Sequence, residues 1–117
     1  MKLTVLDILN AVGPLGKMAS ADLPIAIALK LDDSVEALNK VLAAFEKKRK
    51  TTEAKFCPEG ESEVPKDKLE DFNAAVDKIA DEEIDLDIKP FPIKDLEGVK
   101  LSSGDIKLVR WLIEAPD

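Results

Sequence analysis

One apolar stripe constrains this chain more than any other feature. Val35, Leu38, Leu42 and Phe45 recur every three or four residues, and Val41 widens the stripe. That spacing is one face of an α-helix. Asp32, Asp33 and Ser34 precede it as capping residues, with Glu36 three positions after Asp33 in the manner of a capping box. The stripe fades through Thr52 and Phe56, and Pro58 and Gly60 stop it near Cys57. A helix over residues 33–57 is about 37 Å long at 1.5 Å per residue. Its distal half must lean on another helix or project. A second stripe, Leu69, Phe72, Val76 and Ile79 with Ala75 and Ala80 beside it, predicts that other helix over residues 66–82, after Pro65. The link over 58–65 is short, so the two helices should pack antiparallel. ESEV within the link reads as a brief strand.

The flanks are less regular. Thr4 can cap a short helix over residues 5–12, with Asp7 in its first turn where the helix dipole favours an acid. Gly13-Pro14 should end it, and Gly16 extends the break. Asp22 or Ser20 can cap a second short helix over Ile25 to Leu31, with Pro24 in its first turn; a buried strand is the rival reading. EEIDLDIKPFPI, residues 82–93, changes period. Ile84, Leu86 and Ile88 alternate with Glu83, Asp85, Asp87 and Lys89, which gives a strand with one apolar and one charged face. Pro90 and Pro92 lack the ladder donor, so the strand ends there or runs along an edge. PIKDLEG reads as a turn, VKL as a short strand, and Ser102 or Ser103 as the cap of a final helix over 103–114. Ile106, Val109, Leu112 and Ile113 would face inward from it.

At 117 residues one domain spanning 1–117 is expected. Apolar residues make up 45% and charged residues 35%, which is a globular composition with a heavily charged surface. Aromatics are only 4%, so the core must be mostly aliphatic. The net charge of −7 is unevenly placed. Residues 1–58 hold nine Lys/Arg against seven Asp/Glu, and residues 59–117 hold eight against seventeen. Either the halves attract one another or the second half meets a basic partner. The acidic balance argues against a dedicated DNA-binding protein. The single cysteine, Cys57, cannot form an internal disulfide, and no histidine exists to activate it. It is expected as an inert residue near a helix end. The first 21 residues mimic a signal peptide, but Asp7 and Asn10 interrupt the apolar run. No run reaches the ~18 apolar residues of a membrane span.

Four stretches invite a functional reading. Glu83, Asp85 and Asp87 point the same way on a strand, roughly 6.5–7 Å apart. A hard cation wants several converging oxygens, and no Gly-containing loop or closing Glu supplies them. A solvated strand face that also discourages edge pairing is the plainer reading, and recognition of a basic partner is the functional one. EKKRK, residues 46–50, is the only basic cluster. Lys47, Lys48, Arg49 and Lys50 point in four directions on a helix, so they make a charged face rather than one patch. Phosphate contact and docking of acidic segments are its functional readings. Trp111 beside Arg110 has the composition of an interface hot spot, set against a half-buried core tryptophan. GPLGK, residues 13–17, lacks the spacing and the Ser/Thr of a phosphate-binding loop. With no His, no Tyr and no zinc set, catalysis has little material, and no catalytic residue, metal or cofactor is assigned.

The segment DEEIDLDIKPFPIKDLEGVKLSSGDIKLVRWLIE resembles the ending of small uncharacterised proteins of tailed bacteriophages and prophages. The order of ALKL, a helix with FEKKR and a K-F link is similar too. The resemblance implies a phage origin, a small α+β fold and a place in the cytoplasm of the bacterial host; it implies no activity. The fold expected is α+β and mostly helical: a long antiparallel helical hairpin, a two- or three-stranded sheet around residues 84–89, and a C-terminal helix. The function expected is non-enzymatic, through contacts with a phage or host protein. The other expectations are an acidic inhibitor of a host defence or nucleic-acid-binding protein and a homodimer through an uncovered seam of the long helix. No membrane role and no nucleic-acid ligand are expected.

Overall fold

A computed structural model describes residues 1–61 and 63–114. The fold is α+β and mostly helical. A short strand, β1 (Lys2–Thr4), runs directly into α1 (Val5–Ser20); α2 (Ile25–Phe56) and α3 (Lys66–Ala80) follow. Then come β2 (Glu83–Asp85), β3 (Phe91–Pro92), a 3-10 turn at Ile93–Leu96, α4 (Ser103–Leu108), a second 3-10 turn at Arg110–Leu112, and β4 (Ile113–Glu114). β1 pairs antiparallel with β2, Leu3 opposite Ile84. β3 pairs parallel with β4, Phe91 opposite Ile113. The expected small sheet is thus two separate two-stranded ladders.

The N-terminal region departs from expectation in one instructive way. Thr4 does cap α1, in a full capping box: its hydroxyl accepts from the Asp7 amide at 3.1 Å and the Asp7 carboxylate accepts from the Thr4 amide at 3.0 Å. Gly13-Pro14, however, does not end the helix, which continues to Ser20 with Pro14 inside it. Ile8, Ala11, Leu15 and Met18 form one buried face on both sides of the proline. An interior proline costs roughly 3 kcal/mol, and burying a single large aliphatic side chain returns about 1.5–3 kcal/mol. Leu15 and Met18 together therefore outweigh the break.

The long helix is longer than its stripe suggested. The short helix expected over 25–31 and the helix expected to start near Asp33 are one element of 32 residues, about 48 Å at 1.5 Å per residue. Asp32, Asp33 and Ser34 sit mid-helix. The Ser34 hydroxyl donates back to the Lys30 carbonyl at 3.1 Å, and Leu31 and Leu38 are buried on either side. Capping chemistry and a polar turn inside a helix use the same residues, and burial decides between them. α2 packs against both α1 and α3. Near the hairpin tip the Phe56 and Phe72 rings meet edge to face at 6.1 Å. The molecule is elongated, 52 × 26 × 25 Å.

The C-terminal third closes the core. Phe91, Leu96, Val109 and Leu112 are buried with Ile8, Met18 and Leu38. The Lys30 ammonium lies 4.5 Å above the Phe91 ring and donates to the Pro90 carbonyl at 3.4 Å, which ties the Pro-Phe-Pro segment to α2. Ser102 caps α4 with a second capping box, closed by Asp105. The expected helix over 103–114 ends at Leu108, because Ile113 and Glu114 must extend to pair with β3. Val109 and Leu112 then take the core, while Ile106 is 43% exposed. VKL forms no strand, and neither do the described residues of ESEV; Ser62 lies outside them.

Gly98 follows the 3-10 turn with φ +90°, and a Cβ there would meet nothing within 4 Å. Gly98→Ala should therefore destabilise by about 1–2 kcal/mol through backbone strain alone, read as a lower urea midpoint with an unchanged slope. An unchanged midpoint would mean that the turn does not hold this φ.

Three of the five ion pairs among the described residues join the basic first half to the acidic second half: the Met1 ammonium to Asp85, Lys17 to Asp105 at 2.6 Å, and Lys48 to Glu82 at 2.8 Å. The Lys17 ammonium, and after it the Ser102 amide, hold the Asp105 carboxyl below its ordinary value of 3.8. A carboxyl depressed on folding stabilises above its unfolded pKa, and the contribution is lost as pH falls through the folded value. Wild type should lose stability from about pH 5 downward. Asp105→Asn should flatten that acid limb, measured as the urea midpoint against pH. Parallel curves for the two proteins would show that the pair adds nothing.

Candidate functional site

β2 is the element around which the candidate surfaces are arranged. Its ladder spans Glu83–Asp85 and is extended by reciprocal contacts between Met1 and Leu86, each backbone N donating to the other's carbonyl at 2.8 Å. Beyond the ladder the alternation of burial continues to Ile88. Glu83, Asp85 and Asp87 are all exposed, whereas Ile84 and Leu86 are half-buried and Ile88 is buried. The carboxylates thus share the outward face. The Asp85 carboxylate also accepts from the Met1 ammonium at 3.1 Å, so it is partly neutralised. Among the described residues no three His, Cys, Asp or Glu side chains are placed to hold a metal ion.

The basic cluster on α2 is divided by its own partners. Arg49 donates twice to Glu46, at 2.6 and 3.1 Å, and once to Glu53 at 3.2 Å. This fork holds the Glu46 carboxyl below its usual range and raises the Arg49 guanidinium further. Lys48 turns to Glu82. Lys47 and Lys50 are exposed and make no ion pair among the described residues. The four cations thus form no single surface. Arg110 is exposed, and Trp111 is half-buried against the core with its Nε1–H donating to the Leu108 carbonyl at 3.2 Å. Cys57 lies at the hairpin tip, its sulfur 3.0 Å from the Glu61 carbonyl and 3.2 Å from that of Glu63.

The inner face of β2 shows what sequence reasoning missed. Ile84 and Leu86, with Val5 and Ile79, face Ala37, Val41, Ala44 and Phe45 of α2 across a groove of about 380 Å³. Lys40, Lys48 and Glu82 are its only charged lining residues. Ala37 and Ala44 are small residues beside the stripe of the long helix, but the pairing that brings a strand opposite them joins segments 83 positions apart.

Compared with protein-family models, with curated proteins and with solved structures, the chain shows no match. Among the described residues no helix is long and apolar enough to cross a membrane. The seam of α2 packs in part against α3, where Phe56 meets Phe72, and in part lines the groove through Val41 and Phe45. The large apolar residues exposed on α2 are instead Ile25 and Leu29, in its first two turns.

Proposed function

We propose that this chain is a non-enzymatic phage or prophage protein that works by protein–protein contact in the cytoplasm of a bacterial host, in assembly or host takeover. The outward face of β2 is its contact surface. One observation carries this reading: Glu83, Asp85 and Asp87 stand exposed side by side while pairing with β1 and the buried Ile88 hold the segment in place. Charge fixed on a held strand costs little ordering on binding, and it selects basic partners and speeds encounter. Regular carboxylate spacing of roughly 6.5–7 Å favours a second, narrower reading. In it the face occupies the basic site of a host defence or nucleic-acid-binding protein.

The test is affinity capture from host lysate, with and without infection, washed at low and high salt, using wild type and Asp85→Lys/Asp87→Lys. Both residues are exposed, so the variant should remain folded. A partner lost at high salt and depleted about tenfold or more by the double reversal would support the contact face. A partner whose DNA or RNA binding wild type blocks would favour the inhibitor reading. Equal capture by both proteins would remove the face from the function.

A further inference from the structure

The two faces of β2 have different chemistry, and the inner one lines a space that the fold leaves unfilled. Its walls are aliphatic and aromatic: Val41, Ala44 and Phe45 on α2, Ile79 near the end of α3, Ile84 on β2 and Leu86 just after it. The α2 residues that line it run from Ala37 to Lys48, about 16 Å along the helix. Its volume of about 380 Å³ falls within the roughly 300–1,000 Å³ of small-molecule sites. The charges lie among these apolar walls and are unbalanced, two lysines against one carboxylate. Lys48 is bound to Glu82 at 2.8 Å, both side chains being about half exposed. Lys40 is exposed and makes no ion pair among the described residues. On a protein of net charge −7, this is a locally cationic margin beside an apolar trough.

We propose that this groove binds a single aliphatic chain carrying an anionic head. The chain lies along α2 between Ala44 and the inner face of β2, and the head meets Lys40. Apolar walls select the tail by removing it from water. The lining carries two lysines against one carboxylate, so an anionic head meets net opposite charge there and a cationic head does not. The Lys48–Glu82 pair closes the far end of the trough; an exposed pair of this kind is weak and easily exchanged. The proposal is independent of the acidic outer face: it concerns the opposite side of the strand and does not require a protein partner.

The experiment is a methyl-detected NMR titration of the full chain with dodecanoate below its micellar concentration, and in parallel with dodecyltrimethylammonium. Saturable shifts are expected at Ala37, Val41, Ala44 and Ile84 with dodecanoate, and at least ~5-fold weaker binding of the cationic amphiphile. Ala44→Leu should fill the trough and abolish these shifts; Ala44 is exposed, so the variant should fold, checked by an unchanged melting curve. Lys40→Gln, at an exposed position, should weaken dodecanoate ~2–5-fold and leave the cationic probe no weaker. Shifts that do not saturate, equal binding of the two probes, or shifts that survive in a folded Ala44→Leu would each overturn the proposal. A dodecyl phosphate arm separates carboxylate from phosphate heads, and tight binding of either one supports the site.

Discussion

Phe91→Ala lowers the free energy of unfolding by about 3–5 kcal/mol, the range for removing a fully buried ring and leaving a cavity. Phe91 has no exposure at all and lies in the cluster that joins α1, α2 and the C-terminal segment. For a chain of 117 residues, total stability is on the order of 6–18 kcal/mol, so this single change removes a large share. Two further losses add to the cavity. Lys30 loses the ring beneath its ammonium, and the two-residue β3–β4 ladder loses the side chain that anchors it opposite Ile113. Trp111 is the sole tryptophan and packs against the same cluster, so its fluorescence in a urea titration reports the loss directly. Phe91→Leu should cost less, because it leaves a smaller void. A loss under ~1 kcal/mol for the alanine variant would show that Pro90 to Pro92 are not packed into the core.

Native-state hydrogen exchange should divide the molecule. The last buried residue of α2 is Leu38, and the first buried residues of α3 in the chain are Ile79 and Ala80. Between them no described residue is buried. The distal hairpin therefore rests on half-buried contacts such as Phe56 with Phe72 and on half-buried ion pairs such as Arg49 with Glu46. Segments with few buried apolar contacts open locally, below the global unfolding free energy. Amides of roughly residues 46–74 should exchange at least ~100-fold faster, relative to their intrinsic rates, than those of Ile8 to Met18. At about 1.4 kcal/mol per factor of ten, that is a gap of about 2.8 kcal/mol. Equal protection along α2 would mean that the hairpin is cooperative with the core.

Much of the architecture was legible because its signals were local and repeated. The stripes of α2 and α3, a cap at Thr4 and one at Ser102 or Ser103, and the alternation around Ile84, Leu86 and Ile88 were each readable from a dozen residues or fewer. What failed was punctuation. Pro14 and the Asp32-Asp33-Ser34 turn look like boundaries locally, and only the burial of Leu15, Met18, Leu31 and Leu38 shows that they are not. The end of α4 failed for a related reason: Ile113 pairs with Phe91, which no local pattern of the last helix contains. Glu83, Asp85 and Asp87 were placed by periodicity and do share one face; the Lys47–Lys50 cluster and Arg110 with Trp111 were named for their residue types. The partners of Arg49 lie within four positions and were visible; the partner of Lys48, Glu82, is 34 positions away and was not. The groove depends on Ala37 and Ala44 facing a sheet formed with β1, and no short window reports that pairing.

That pairing also sets an order of events during synthesis. β1 precedes its partner strand by 83 positions, Lys2 opposite Asp85. At roughly 5–20 residues per second, a nascent chain holds Leu3 without that partner for about 4–17 s. Over the same interval α2 and α3 can wind and meet, since their contacts are near in sequence. The hairpin expected to open first is thus one whose contacts are available before the β1–β2 pairing, and the interior around Phe91 closes only after Ile113 has emerged.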